Sequence, residues 1–261
     1  MIDISWSDPH VRAELKALKS NGAFVYGLTN YVAANLNANI LLAVGAGPAI
    51  GAAMDWPSVF ARGANAMWIN AAALMSSGPE TLLTAARSAH EGNVPWVLDP
   101  VAMGAGAPAY DAVITQLLEF KPTAIRGNAS ELIALAGGGA GGKGVETTSS
   151  SSDALAFIKD LSARTGSIVA VSGPTDYITD GTEIYAVGGG DRQLTQVTGA
   201  GCSLGALIAA LLAHAQSPIL ATVAAHAAYA VASERAAART RGTASFAIAF
   251  VDELSLLDPA A

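Results

Sequence analysis

What this chain has little of narrows it first. It holds one cysteine, Cys202, so no intrachain disulfide can form, and a reducing, cytoplasmic setting is expected. Charge is sparse: 13% of residues are Asp, Glu, Lys or Arg, and the balance is acidic, with 21 acidic against 14 basic side chains. No basic run occurs, which argues against nucleic acid or an anionic membrane as partner. Residues 1–10 carry Asp3 and Asp8 and lack an apolar core, so no signal peptide is expected there. Between residues 193 and 233 there is no Asp, Glu, Lys or Arg at all. Such a stretch raises the possibility of a membrane hairpin. His214, Gln216, Pro218 and His226 interrupt it, and no unbroken run reaches the ~20 apolar residues that a span needs. Two Ala-rich helices, buried in the core or in a subunit interface, are expected instead. The four histidines show no metal-ligand spacing, and no Gly-x-Ser-x-Gly elbow is present, so a serine hydrolase has no support.

What is there reads as one α/β domain of 261 residues, 52% of them apolar. Strands are expected over residues 24–28, 66–70, 96–98, 124–125 and 168–171, with a hairpin over 176–187 turning at Asp180-Gly181. Helices are expected over 8–19, 31–44, 80–91, 110–120, 129–136, 153–164, 204–212 and 218–239. Gly45-Ala46-Gly47-Pro48 reads as a helix stop, 194–197 as extended chain, and 245–251 as a strand or a helix. The alternation predicts a parallel sheet covered on both faces. Four apolar runs end in a polar residue: Asn70, Asp99, Arg126 and Ser172. Ligands of open α/β sheets sit beyond the carboxyl ends of the strands, so these four are expected to line one cleft.

The chain is organised around Val197-Thr198-Gly199-Ala200-Gly201-Cys202. A glycine turn that opens a helix aims backbone N–H groups at one point, with the helix dipole behind them, and favours an anion. The thiol of Cys202, in the first turn, is expected to ionise more easily than usual. A glycine turn before a buried helix, with a core cysteine, fits the same residues. Asp99 reads either as a turn residue or as a Mg²⁺ ligand. Asn128-Ala129-Ser130-Glu131 reads as a capping box, and Glu131 as a second acid near the same metal. Arg126 reads as a phosphate partner or a surface ion pair. Metal, cation and anion cradle together describe phosphoryl transfer. Residues 137–144 run Gly-x-x-x-x-Gly-Lys-Gly, a Walker A lacking its final Ser or Thr, and they follow a helix, so a P-loop is rejected. They and the Thr/Ser run to residue 152 read as a mobile loop, with Lys143 a solvated loop lysine in the first instance and a phosphate contact in the second.

Several blocks occur in a fixed order: Thr29-Asn30-Tyr31-Val32 with Ala38-Asn39, Gly45-Ala46-Gly47-Pro48, Leu98-Asp99-Pro100-Val101, Arg126 through Glu131, Gly141-Gly142-Lys143-Gly144-Val145, and Val197 through Cys202. With these the chain resembles the hydroxyethylthiazole kinase family, ribokinase-like enzymes of thiamine salvage, from about residue 25 to 213. The resemblance implies a three-layer ribokinase-like fold and transfer of the ATP γ-phosphoryl to the hydroxyl of 4-methyl-5-(2-hydroxyethyl)thiazole with Mg²⁺. It implies a homotrimer with active sites between subunits. By position it assigns Asp99 and Glu131 to metal and phosphates, Arg126 and Ser172 to ATP, and Asn30, Ile50 and Gly199 to the alcohol. Gly199, Ala200, Gly201 and Cys202 fall at the transfer point, Cys202 where other ribokinase-like enzymes place an Asp base. The chain departs from the family at Ile50, usually Met, near Tyr26, at Asn70-Ala71-Ala72-Ala73 and over 104–107. The alcohol pocket therefore departs further than the phosphate machinery, which leaves a kinase for another small alcohol, a ribokinase-like dehydratase and a non-catalytic nucleotide-binding relative as alternatives.

Overall fold

A computed structural model describes residues 1–138, 142–143, 146–147 and 150–260. In chain order the elements are β1 (Ile2–Ile4), α1 (Pro9–Asn21), β2 (Ala23–Leu28), α2 (Ala34–Ala43), β3 (Ala46–Ile50), α3 (Trp56–Gly63), β4 (Ala66–Asn70), α4 (Pro79–Glu91), β5 (Trp96–Asp99), α5 (Pro108–Leu117), β6 (Ala124–Asn128) and α6 (Ala129–Leu135). There follow β7 (Gly142–Lys143), β8 (Glu146–Thr147), α7 (Leu155–Thr165), β9 (Ile168–Ser172), β10 (Asp176–Thr179), β11 (Ile184–Val187), α8 (Ala200–Leu212), α9 (Pro218–Arg239) and α10 (Thr243–Ser255). Much of the glycine-rich stretch and of the Thr/Ser run, with the Lys143 side chain, lies outside the described residues.

Nine strands form one sheet in the order β1-β11-β10-β9-β6-β5-β4-β2-β3, and only β10 runs against the rest. Alternation along each strand fills two cores. Val25, Trp68, Val97, Ala124 and Ala170 face α1, α2, α8, α9 and α10. Tyr26, Met67, Ile69, Leu98, Ile125 and Val169 face α3 to α7. The uncharged stretch thus belongs to the core of this chain: α8 and the first two-thirds of α9 are buried almost throughout. Among the described residues no helix is long and apolar enough to cross a membrane.

Four expectations are corrected, and the open choice at the C-terminal element is decided. Ala46–Ile50 is a strand, β3, and not merely a helix stop; at the sheet edge it pairs only with β2, and an edge tolerates Pro48. Residues 192–196 form a 3₁₀ turn in place of extended chain, because the Asp191 carboxylate accepts the N–H of Gln193. The hairpin loop is four residues, 180–183, tied by Asp180 Oδ1 accepting from Thr182 and Glu183. The last element is a helix, α10. Arg126 stands inside β6 and does not follow it.

Candidate active site

The pleat places the polar cluster. Asn70, Asp99, Arg126 and Ser172 each lie two residues beyond Trp68, Val97, Ala124 and Ala170, which face α8, so all four stand on that face too. Asn70 is in register with Asp99 at the carboxyl ends of β4 and β5. Helix α8 packs across β4 and β5. A Cβ on Gly201 would lie 3.8 Å from Arg126 Nη1, and one on Gly205 3.8 Å from Asp99 Cβ, so the start of α8 sits directly over the pair.

Asp99, Arg126 and Glu131 are all buried, at 0, 6 and 5% exposure. Arg126 forms an interior ion pair, not a surface one: its Nη1 donates to Asp99 Oδ2 at 3.2 Å and its Nη2 to Ser172 Oγ at 3.0 Å. Asn70 Nδ2 donates to the same Asp99 oxygen at 2.9 Å. Burial pushes the Asp99 carboxyl up, and Arg126 and Asn70 work against that rise. Asp99 Oδ1 and Arg126 Nε are buried with no partner among the described residues. One oxygen of the acid and one N–H of the cation therefore remain available for something else.

Glu131 fills the capping box that was expected. Asn128 Oδ1 accepts from the Glu131 N–H at 3.0 Å, and Glu131 Oε2 accepts from the Asn128 N–H at 2.9 Å. Its Oε1 accepts from Ala102 N–H at 3.0 Å, which holds the loop after β5 against the start of α6. Burial and the charge of Asp99 push its carboxyl up to about 7.

Gly199, at φ +86°, caps α8; a Cβ there would meet Ala33 at 3.1 Å. Ala200 N–H donates to the Val197 carbonyl, whereas the N–H groups of Gly201 and Cys202 have no acceptor among the described residues. These are two of the free donors that every helix start leaves, and they favour an anion. Asn30 Oδ1 accepts from Ala33 N–H at 2.8 Å, and its Nδ2 reaches Asn70 Oδ1 at 3.4 Å and Cys202 Sγ at 3.7 Å. Burial and the negative charge of Asp99 push the Cys202 thiol up to about 11. The expectation of an easily ionised thiol is overturned: burial and a buried carboxylate outweigh the helix start.

The cluster thus joins Asn30, Asp99, Arg126, Glu131, Ser172 and the 199–202 turn. Ile50 stands apart from it, half-buried at the end of β3 and three strands from Asp99, roughly 14 Å at ordinary strand spacing. Beside it, Tyr26 OH donates to the Gly51 carbonyl at 2.9 Å. Sequence reasoning gave Asn70 a place in the cleft but no role, and it passed over Tyr110. The Tyr110 hydroxyl donates to the Val101 carbonyl, and burial with the charges of Asp99 and Glu131 pushes it well up. Nothing in the local pattern around Tyr110 marks it.

Among the described residues no three His, Cys, Asp or Glu side chains form a metal group. The donor set still fits Mg²⁺, which keeps most of its waters and takes one or two carboxylates with substrate phosphates. Asp99 Oδ1 has no partner among the described residues and would be the direct ligand, while both Glu131 oxygens are already engaged by backbone N–H groups.

The hydroxyethylthiazole kinase family model matches residues 15–260. A hydroxyethylthiazole kinase from Burkholderia pseudomallei is 68% identical over 260 residues, covering all of this chain and 94% of that protein. The structure of hydroxyethylthiazole kinase protein from Pyrococcus horikoshii OT3 superposes with a TM-score of 0.86 at 31% identity, over 95% of this chain and 93% of that one. A ribokinase-like superfamily protein from Enterococcus faecalis shares the fold alone, with a TM-score of 0.63 at 13% identity, over 97% of this chain and 95% of that one. A mostly parallel sheet with helices on both faces is therefore the ribokinase-like fold, and on these matches the chain belongs to the hydroxyethylthiazole kinase family.

Proposed function

We propose that the protein transfers the γ-phosphoryl group of ATP to the hydroxyl of 4-methyl-5-(2-hydroxyethyl)thiazole, with the whole chain acting as one catalytic domain. One observation carries the reading: a buried carboxylate with an unpartnered oxygen, a buried guanidinium with an unpartnered N–H, and a helix start with two N–H groups lacking acceptors lie in one cluster. Family membership supplies the acceptor.

Phosphoryl transfer asks a protein mainly for position and charge. Arg126 offers Nε to a phosphate while Asp99 and Ser172 hold its other nitrogens. The N–H groups of Gly201 and Cys202 face the charge that builds on the transferred group, commonly the largest single catalytic effect. Gly199 keeps the turn tight enough for that approach. Mg²⁺, when bound, neutralises phosphate charge; Asp99 Oδ1 would hold it directly and Glu131 through water. The Cys202 thiol stays protonated at neutral pH, so it does not serve as a base at rest, and a loose transition state asks for little proton removal. Asn30 and the Ile50 end of β3 are assigned to the alcohol.

We further assign the protein to a homotrimer. Apolar side chains stand exposed where the loops leave β2, β3 and β4: Tyr31, Val32, Met54 and Met75. These loops border the Ile50 end of the sheet, where the alcohol is placed, so a neighbouring subunit would close the pocket. A single unpaired thiol suits a cytoplasmic setting.

ADP release with MgATP, across a panel of small alcohols including the thiazole, tests the reading. Thiazole-dependent ADP release matched by thiazole phosphate is expected. Release with a different alcohol alone would move the substrate assignment, and ADP or ATP binding without turnover of any alcohol would remove the enzyme reading.

A further inference from the structure

His226, fully buried on α9, sets its Nδ1 2.7 Å from Asp176 Oδ2. Asp176 opens β10, and its Oδ1 accepts from the Gly173 N–H at 2.8 Å. Gly173 follows Ser172, the hydroxyl that Arg126 grips. The same loop is held from its other side. Ser151 Oγ donates to the Thr175 carbonyl at 2.7 Å, and a Cβ on Gly173 would fall 2.4 Å from that Oγ. The residues 172–176 are therefore fixed by hydrogen bonds from two directions.

Three residues further along α9, on the same helical face, Tyr229 OH lies 2.7 Å from Ser203 Oγ. Ser203 Oγ donates to the Ala200 carbonyl at 3.0 Å, so the Tyr229 hydroxyl is the donor between them. Ala200 is the first residue of α8. Two neighbouring side chains of one helix thus reach the two halves of the phosphate site: His226 the loop after β9, Tyr229 the first turn of α8.

We propose that α9 acts as a spacer that sets the separation between the Ser172 loop and the α8 N-terminus, with His226 and Tyr229 as positioning residues for the nucleotide. The inference rests on the reading that Arg126, Ser172 and α8 meet the nucleotide. Neither His226 nor Tyr229 has to touch it. Burying an imidazole and a phenol in an Ala-rich helix, on the face that also carries Thr222 and Ser233, adds polar groups that need partners, where apolar side chains would pack without that cost. What the polar contacts add is direction: a carboxylate–imidazole contact fixes one geometry, and an apolar contact allows many. Small displacements of groups that bind phosphate are costly to affinity and rate.

The test is ADP binding with Mg²⁺ by titration calorimetry on the full chain, beside thermal melts. His226→Phe is expected to weaken ADP about tenfold, the scale of one charged hydrogen bond. His226→Asn, whose amide nitrogen takes the place of Nδ1, is expected to restore binding to within about twofold. A loss of packing alone would not separate the two. Folded His226→Phe that binds ADP as tightly as the unchanged protein overturns the inference. Should that variant fail to fold, Asp176→Ala, at a half-buried position, carries the test: about tenfold weaker ADP supports the inference, and unchanged affinity overturns it. Arg126→Lys separates the two levels. If it too leaves ADP binding unchanged, the nucleotide reading falls and the inference with it; if it alone weakens binding, only the inference falls.

Discussion

At Cys202 two effects compete. A helix start lowers a thiol pKa, and a buried carboxylate raises it. Burial is heavy and Asp99 in the same cluster adds to it, so the rise wins and the thiol is pushed up to about 11. Two outcomes follow. Cys202→Ala is expected to keep turnover within about tenfold of the unchanged protein, short of the ~100-fold or more that a positioned proton acceptor supplies. Complete loss of activity in the folded variant would make the thiol essential. Alkylation by iodoacetamide at pH 8 is expected to be far slower than for free cysteine, with the rate climbing towards pH 11. Glu131 gives a stability signature of the opposite kind to an ordinary paired acid. Its native carboxyl is pushed up to about 7 from 4.5. Between those values the folded chain holds a proton that the unfolded chain has released, so stability falls as pH rises through that window and levels off above it. In metal-free buffer the loss from pH 4.5 to 7.5 is expected to be on the order of 2 kcal/mol by urea denaturation. Glu131→Gln, less stable throughout because an amide N–H₂ faces a backbone donor, should lose that slope; an unaltered slope would assign the titration elsewhere.

The elements show how far local pattern reaches. Helix α8 carries two glycines with opposite meanings. Gly199 sits at φ +86° with Ala33 3.1 Å from any added Cβ, so Gly199→Ala is expected to cost about 1–3 kcal/mol and to loosen the turn that shapes the anion cradle. Gly205 is helical, and its added Cβ would meet only ordinary contacts at 3.8 Å or more, so Gly205→Ala is expected to stabilise by about 0.5–1 kcal/mol. Melting temperatures moving in the same direction for both would refute the packing of α8 described above. Strands with a clear period of two and apolar content were legible: β4 and β9 stand within a residue of expectation, and the polar residues at their ends met as foreseen. β3 was not, since Gly47 and Pro48 are breakers anywhere except at an edge, and edge position is a property of the whole sheet. β1 is three residues long and exists through pairing with β11. Helix α10 stayed open between strand and helix over 245–251, because its stripe of Phe246, Phe250 and Leu254 completes only beyond that stretch. The His226–Asp176 contact joins residues 50 apart with no local mark, and so four histidines without metal spacing gave no hint of it.

For the whole molecule, the absence of charge from residues 193–233 and the exposure of apolar side chains elsewhere point to different needs. The uncharged helices fill the inner core between the sheet and α1 and α10, so they are not free to make a subunit contact. A surface that suits a partner is the rim where β3, β2 and β4 end. There Met54 is 95% exposed and Tyr31 67%. Scattered exposed apolar residues are ordinary, but these occupy loops from three adjacent strands, which gather them at one end of the sheet. Light scattering at micromolar concentration is expected to give about three times the 26.2 kDa of one chain. Tyr31→Glu with Met54→Glu, far in sequence from Asp99 and Glu131, should give a folded monomer. With the alcohol assigned to the Ile50 end of the sheet, roughly 14 Å from Asp99, a partner on the rim would close the alcohol side of the cleft and not the phosphate side. The monomer is therefore expected to bind ADP with unchanged affinity while its KM for the alcohol rises about tenfold or more, the effect of losing a pocket wall. A monomer that keeps the KM of the assembled protein would place the whole acceptor pocket within one chain.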